Sequence, residues 1–121
     1  MVLVDSSVWI DHIRKPDAEL IDLLTGNHVL MHPFVIGEIL LGSVANRLEL
    51  AATLDGLRKI RPATIQDVRV LIESARLYGR GIGLADANLV TSCLLTPGTQ
   101  LLTRDKRLKE VAIELGLGLG A

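Results

Sequence analysis

The sequence predicts an α/β domain with a mainly parallel central sheet flanked by helices. Short aliphatic runs typical of buried strands alternate with longer segments of helical periodicity, which favours a parallel sheet. Hydrophobic residues make up 49% of the chain and are nearly all aliphatic, so the chain can bury a sizeable core and is not disordered. Because 121 residues suit one core, we predict a single domain over residues 1–121.

The first third of the chain has the end signals of two strands and three helices. Serine and aspartate suit helix N-caps, proline suits the first helical position, and Gly-Asn marks a turn. In order, we predict a strand over 2–4, a helix from a Ser6 or Ser7 cap to about Ile13, a helix over 18–24 capped by Asp17, a turn at Gly26-Asn27, a strand over 29–31 and a helix from Pro33 to about Leu41.

The rest of the chain continues the alternation. Thr64 with Asp67 three residues later is a capping-box pattern, and the glycines before residue 84 indicate a loop. In order, we predict a helix over 47–57, a short edge strand over 60–62, a helix capped by Thr64 whose apolar face runs from Ile65 to Tyr78, a loop at Gly79, Gly81 and Gly83, a helix over 87–95, a strand over 100–103, a helix from Asp105 to Leu115 and a weak strand over 117–119.

Four acidic residues are expected at one edge of this sheet. In open parallel sheets, ligands bind beyond the carboxyl ends of the strands, at the point where the strand order reverses. Asp5 follows the first strand, Glu38 lies on the helix after the second, Asp86 begins a helix after the glycine loop, and Asp105 follows the LLT strand. The fold can therefore bring these four carboxylates together.

Each acid also has a purely structural interpretation. Asp5, Asp86 and Asp105 suit helix N-termini, where a carboxylate caps free N–H groups and is favoured by the helix dipole. Glu38 has apolar neighbours on both sides and could face either the surface or the interior. An inward-facing Glu38 would need a partner for its charge. The residues alone leave both interpretations open.

A gathered set of carboxylates would indicate a divalent cation. At about 5 Å and an effective dielectric near 20, each pair repels by roughly 3 kcal/mol, which proton sharing or a cation would relieve. Oxygen ligands favour Mg²⁺ or Mn²⁺, and no pair of His or Cys residues has zinc-ligand spacing. Such a site suits phosphoryl transfer, with water activated by the metal and no protein nucleophile.

Composition narrows the other possibilities. The net charge of −1 argues against a bulk electrostatic nucleic-acid binder, and the 2% aromatic content argues against single-strand binding by base stacking. No apolar run reaches the roughly 18 residues of a membrane span, and no signal peptide is evident. Cys93 is the single cysteine, which fits a reducing compartment. We therefore expect a cytoplasmic protein.

Four segments resemble the PIN-domain ribonucleases, specifically the VapC-type toxins of type II toxin–antitoxin pairs. They are VDSSVWID, VIGEILLG, LADANLVTS and LLTRDKRL, in the order of that family and at roughly its intervals, over nearly the whole chain. Each segment alone is weak evidence, whereas the four together are specific.

The resemblance implies a Mg²⁺- or Mn²⁺-dependent endoribonuclease that is neutralised by a VapB-like antitoxin. It implies that Asp5, Glu38, Asp86 and Asp105 form the catalytic metal site, supported by the polar residues Ser7 and Thr103. It also implies that the protein forms a homodimer and contacts DNA only indirectly, through the antitoxin. The neighbouring Arg104 and Lys106 are expected to contact RNA phosphates.

Two other functions are compatible with these residues. One is a catalytically inert PIN-like scaffold that binds a partner. The other is a receiver-like signalling domain that binds Mg²⁺. Receiver domains usually have an acidic pair after the first strand, whereas Ser6-Ser7 follow Asp5 here, so the receiver interpretation is the less favoured one.

Overall fold

The computed structural model describes residues 1–119, in which seven helices and three strands alternate along the chain. The last two residues of the predicted domain, Gly120 and Ala121, lie outside this range. The elements are β1 (Val2–Val4), α1 (Ser6–Arg14), α2 (Ala18–Thr25), β2 (Val29–Leu30), α3 (Pro33–Leu40), α4 (Arg47–Asp55), α5 (Ile65–Ser74), α6 (Leu84–Leu95), β3 (Gln100–Leu102) and α7 (Lys106–Glu114).

The three strands form a parallel sheet in the order β2-β1-β3. β1 is central, with Val2 opposite Val29 on one side and opposite Gln100 on the other. Because its two neighbours lie on opposite sides, the strand order reverses at β1, and a ligand site is expected at the carboxyl ends of β1 and β3. The predicted fold class, α/β with a parallel sheet flanked by helices, is confirmed.

The pairing of β1 with β3 continues to the residue after β1. The N–H of Asp5 donates to the carbonyl oxygen of Leu102 at 2.9 Å. Leu3 and Val4 are fully buried, which anchors the strand in the core. The backbone of Asp5 is therefore fixed at the switch point before its side chain makes any contact.

Several local predictions are confirmed. Asp17 caps α2, with its Oδ1 accepting from the N–H of Leu20 at 2.9 Å, and Pro33 is the first residue of α3. The capping box of Thr64 and Asp67 is present at the start of α5. These signals act between residues two or three positions apart, so the chain beyond them has little influence.

Other local predictions are wrong. Ser6 and Ser7 are the first residues of α1 rather than its cap, because Asp5 has the extended backbone of the N-cap position. α6 begins at Leu84, which places Asp86 inside the first turn. Residues 60–62 are not a strand, although the Ile60 N–H donates to the Met31 carbonyl oxygen at 2.9 Å. The expected strand over 117–119 is a single bridge between Gly118 and Leu101.

The core lies between the sheet and the helices, but one predicted apolar face is only partly buried. Val68 of α5 is fully buried, whereas Ile65 and Tyr78 are 54% and 59% exposed. Cys93 is buried on α6, and burial raises the pKa of its thiol to about 12. Among the described residues, no helix has both the length and the apolarity to cross a membrane.

Candidate active site

Asp5 occupies the N-cap position of α1 but does not cap it. Its side chain makes no capping hydrogen bond. Instead, Oδ2 accepts from the hydroxyls of Ser7 and Thr103, each at 2.8 Å, and the residue is only 4% exposed. A buried carboxylate that accepts two hydroxyl donors is fixed in orientation. The structure thus decides between the two interpretations of Asp5, and the side chain is not a cap.

Glu38 is half-buried, and the Ser6 hydroxyl links its carboxylate to that of Asp5. The Ser6 hydroxyl lies 3.3 Å from Glu38 Oε1 and 3.5 Å from Asp5 Oδ1, so it stands between the two carboxylates. Burial raises the pKa of the Glu38 carboxyl, and the charges of Asp5 and Asp86 raise it further, while the Ser6 hydrogen bond lowers it. From the sequence, Ser6 was predicted only as a possible helix cap, and its contacts with both carboxylates were not expected.

Asp86 lies in the first turn of α6, and the charges of other acids affect the pKa of its carboxyl group. Its Oδ2 accepts from the N–H of Gly83 at 3.3 Å, so the carboxylate also stabilises the start of the helix. Burial raises the pKa of Asp86, the Gly83 hydrogen bond lowers it, and the charges of Asp5 and Asp105 raise it. The helix-terminus interpretation holds for this residue, and its role in an acidic metal site stays a prediction.

Asp105 is the N-cap of α7. Its Oδ1 accepts from the N–H groups of Arg107 and Leu108, each at 3.0 Å. Only Oδ1 of Asp105 takes part in the cap, and the charge of Asp105 contributes to raising the pKa of Asp86. Asp105 is exposed, unlike Asp5, so it stands at the edge of the acidic cluster.

The two predicted supporting hydroxyls join the acids to the backbone. Besides donating to Asp5, Thr103 Oγ1 accepts from the N–H of Asp105 at 3.1 Å, and Ser7 Oγ accepts from the N–H of Arg104 at 3.0 Å. These hydrogen bonds fasten the start of α1 to the segment after β3. Asp5 and Asp105 are thereby held on the same edge of the sheet.

A buried hydrogen-bond network fixes the two helices that carry Glu38 and Asp86. His32, at the start of α3, is fully buried, and its Nε2 lies 2.8 Å from Oδ1 of Asn88 on α6. Its Nδ1 accepts from the N–H of Phe34 at 3.0 Å, so Nε2 carries the proton and donates. Burial lowers the pKa of His32, which keeps the ring neutral. From the sequence alone, no role was predicted for His32, since it belongs to none of the four segments that carry the predicted site.

Asn88 extends this network to the segment before α5. Its amide nitrogen donates to the carbonyl oxygen of Ala63 at 3.0 Å, and the Ala63 N–H donates to Ser92 Oγ at 3.0 Å. The network therefore ties α3, α6 and the chain near residue 63 into one buried unit.

The donor set fits a hard divalent cation in its chemistry. Asp5, Glu38, Asp86 and Asp105 offer carboxylate oxygens. Burial raises the pKa values of Glu38 and Asp86, and neighbouring carboxylates raise them further, so a cation would stabilise the charged form of both. Across residues 1–119, no three His, Cys, Asp or Glu side chains stand close enough to ligate one ion as they are placed. The fit is thus one of charge and ligand type.

The two cationic side chains that are expected to contact RNA phosphates, Arg104 and Lys106, differ in their surroundings. The guanidinium of Arg104 forms ion pairs with Asp11, at 2.9 Å, and with Asp17. Lys106 is exposed at the start of α7, next to Asp105. Arg104 therefore already shares its charge with two carboxylates that the sequence did not connect to it.

Fold and site together define an α/β domain with an acidic cluster at the switch point of a parallel sheet. The family model described as PIN domain matches residues 2–114. Ribonuclease VapC32 of Mycobacterium tuberculosis, in strain CDC 1551 / Oshkosh and in strain ATCC 25618 / H37Rv, is 44% identical over 119 residues, which covers 98% of this chain and 96% of the relative. The chain belongs to the PIN-domain family, within its VapC-type ribonuclease group. This membership removes the receiver-like alternative.

Proposed function

We propose that this chain is a divalent-metal-dependent endoribonuclease and the toxin of a VapBC-type toxin–antitoxin pair. The observation that carries the proposal is the buried Asp5 carboxylate, which two hydroxyls hold at the switch point facing Glu38. A carboxylate that neither caps a helix nor pairs with a cationic side chain is costly for the fold, and a bound cation accounts for it. The name of the two relatives, Ribonuclease VapC32, supports the same activity.

The role proposed for each residue of the site follows from these contacts. Asp5, Glu38 and Asp86 would hold the principal cation, Mg²⁺ or Mn²⁺, with Asp105 at the edge completing the site. When bound, the cation supplies activation of water and neutralisation of phosphate charge. The hydroxyls of Ser7 and Thr103 orient Asp5, and the Ser6 hydroxyl links the carboxylate of Glu38 to that of Asp5.

Substrate positioning would fall to cationic groups beside the acids. Of the two predicted phosphate contacts, Lys106 is exposed next to Asp105 and suits that role. Arg104 is held by Asp11 and Asp17, so its first role is to fasten the segment after β3 to α1 and α2. A phosphate contact by Arg104 would require it to exchange one of these partners.

The proposal extends to partners. A VapB-like antitoxin would neutralise the chain in the cytoplasm and supply any contact with DNA, and the chain would form a homodimer over its single domain. Apolar side chains are available for such contacts: Leu48 is 90% exposed on α4, and Val70 is 69% exposed on α5. Exposed apolar groups of this kind are often used in protein interfaces.

Expression of the chain alone, followed by mapping of new RNA ends, tests the proposal. The wild-type chain should cut RNA at defined positions in Mg²⁺ or Mn²⁺ and arrest growth, and excess EDTA should stop the cutting. The Asp5→Asn variant should do neither. If total RNA and growth are the same with the wild-type chain and with Asp5→Asn, the toxin function is refuted.

A further inference from the structure

The ring of Phe34 stands exposed beside the acidic cluster. Phe34 is 42% exposed, whereas Trp9, at 6%, is part of the core. The chain has three aromatic residues other than histidine, and of the two exposed ones, Phe34 and Tyr78, Phe34 lies on the helix that carries Glu38. Single exposed apolar side chains are common on protein surfaces, so the position and the fixed orientation of this ring, rather than its exposure, carry the inference.

Phe34 and Glu38 share one face of α3. They are four residues apart, which places them one above the other on the helix, with Cβ atoms about 5–6 Å apart. Side chains of a helix lean towards its N-terminus, so the Glu38 carboxylate extends over the turn that Phe34 occupies. Leu41, 88% exposed, continues the same face on the other side of Glu38. The acidic cluster is thus bordered by apolar groups along α3.

The ring is also held in a fixed orientation. It packs edge-on against the His32 ring, with centroids 5.2 Å apart and an interplanar angle of 64°. His32 itself is fully buried and fastened by Asn88 and by the Phe34 N–H. A ring fixed by a buried neighbour loses little further freedom when a flat ligand stacks on its open side.

We propose that Phe34 stacks on one nucleobase of the RNA strand, next to the phosphate that is cut. The proposal rests on the ribonuclease function proposed above. Aromatic rings bind single strands by stacking on base faces, and every base offers such a face. One ring cannot bind a run of bases, in agreement with the low aromatic content, but it suffices to place a single nucleotide relative to Glu38 and Asp5. Stacking would add to the site a position that prefers bases with large π-faces.

Variants of Phe34 test this role. Phe34→Leu keeps an apolar side chain but removes the π-face, and Phe34→Trp restores one. After the wild-type chain has been used to map a cut, oligoribonucleotides with 2-aminopurine on either side of that cut are bound to the Asp5→Asn variant in Mg²⁺, with and without Phe34→Leu. The matched control is Leu95→Ala, an exposed apolar site about 14 Å along α6 from Asp86.

Stacking predicts a spectroscopic and a kinetic result. Binding should quench the 2-aminopurine fluorescence on one side of the cut, and Phe34→Leu should abolish the quenching and weaken binding by about 5- to 150-fold. In the otherwise wild-type chain, Phe34→Leu should raise the KM for RNA cleavage. Phe34→Trp should have a KM near that of the wild type, and Leu95→Ala should leave the KM unchanged.

Each contrary result is distinguishable. If the wild-type chain cuts no RNA, the ribonuclease function fails and the inference falls with it. If the wild-type chain cuts RNA but Phe34→Leu keeps the same KM and the same quenching, only the inference is overturned. It is equally overturned if Phe34→Leu weakens the complex with the antitoxin protein and leaves RNA binding intact, because the ring would then belong to a protein interface.

Discussion

The hydroxyl of Thr103 donates to the carboxylate of Asp5 at 2.8 Å, across a separation of 98 residues. This contact joins the carboxyl ends of β1 and β3, the two strands between which the site is expected. Thr103 is only 5% exposed, so the hydrogen bond is shielded from water. The orientation of Asp5 therefore depends on the distant end of the chain.

Replacement of Asp5 tests the acidic cluster directly. Asp5→Asn keeps the shape of the side chain but removes its charge, so RNA cleavage should fall by more than about 100-fold, which is beyond the usual effect of losing a supporting residue. The binding of Mn²⁺, measured by calorimetry, should be lost in parallel. Asp55→Asn, at the exposed end of α4, should keep both. An absence of Mn²⁺ binding in the wild-type chain would instead favour an inert scaffold.

Thr103→Val should weaken the site without removing a proposed ligand. The variant loses the donor to Asp5 and the acceptor for the Asp105 N–H, while the volume of the side chain is conserved. We expect Mn²⁺ affinity and cleavage to fall by about 10- to 100-fold and the free energy of unfolding by about 1–3 kcal/mol. Thr103→Ser, which keeps the hydroxyl, should recover most of the activity. Equal losses in both variants would mean that the hydroxyl is not the cause.

The raised pKa values of Glu38 and Asp86 predict how stability depends on pH without a divalent cation. Their ordinary values are 4.5 and 3.8, and both are higher in the folded chain. Their contribution to stability is thus fully present below those ordinary values and is lost as the pH rises through the raised ones. Glu38→Gln should therefore raise the melting temperature at pH 7 in EDTA by roughly 1–4 °C and should abolish RNA cleavage.

Melting curves between pH 3.5 and 7.5, with EDTA or Mg²⁺, measure this effect. The advantage of Glu38→Gln in EDTA should shrink towards low pH, and Mg²⁺ at pH 7 should stabilise the wild-type chain more than the variant. Glu49→Gln, at an exposed position on α4, is the control and should change little. A wild-type chain that is the more stable of the two at pH 7 in EDTA would contradict the raised pKa of Glu38, which burial and the neighbouring carboxylates cause.

His32→Ala should destabilise the fold and loosen the site together. The change removes two hydrogen bonds of a fully buried ring, so we expect a loss of about 2–4 kcal/mol in the free energy of unfolding. Because burial lowers the pKa of His32 from 6.5, its contribution is present above that value and is lost as the pH falls through the lower one. Denaturant titration measures both effects.

Two further variants show whether His32 acts through Asn88. His28→Ala, at an exposed position, should change the free energy of unfolding by less than about 0.5 kcal/mol. The double variant His32→Ala, Asn88→Ala should be less destabilised than the sum of the single variants, because the two side chains share a hydrogen bond. Strict additivity would show that the two residues are not coupled.

Lys106→Gln should weaken RNA binding in a way that depends on salt. Loss of one phosphate contact should reduce the slope of log affinity against log salt by about 0.7 for a single strand. Lys109→Gln, one turn further along α7 and also exposed, is the matched control and should leave the slope unchanged. Binding curves of the Asp5→Asn form between 50 and 300 mM KCl would measure the slope. An unchanged slope for Lys106→Gln would remove this residue from the RNA contact.

The sequence by itself determined the parts of this protein that depend on near neighbours. The aliphatic run of β1, the Asp17 cap, the Thr64–Asp67 capping box and Pro33 at the start of α3 act over two to four residues, and all are present as predicted. The four acids could also be selected from the sequence, because three follow a predicted strand or open a predicted helix, and Glu38 lies on the helix after the second strand.

Only the tertiary structure decided what each of those acids does. A carboxylate after a strand can cap the next helix or face a neighbouring strand, and both choices satisfy the local chain equally well. For Asp5 the choice is made by Thr103 and for Glu38 by Ser6, both distant in sequence. The same holds for the cationic Arg104, whose partners Asp11 and Asp17 are also distant. The strand order brings these groups together, and no local pattern encodes which hydroxyl or carboxylate will be the partner.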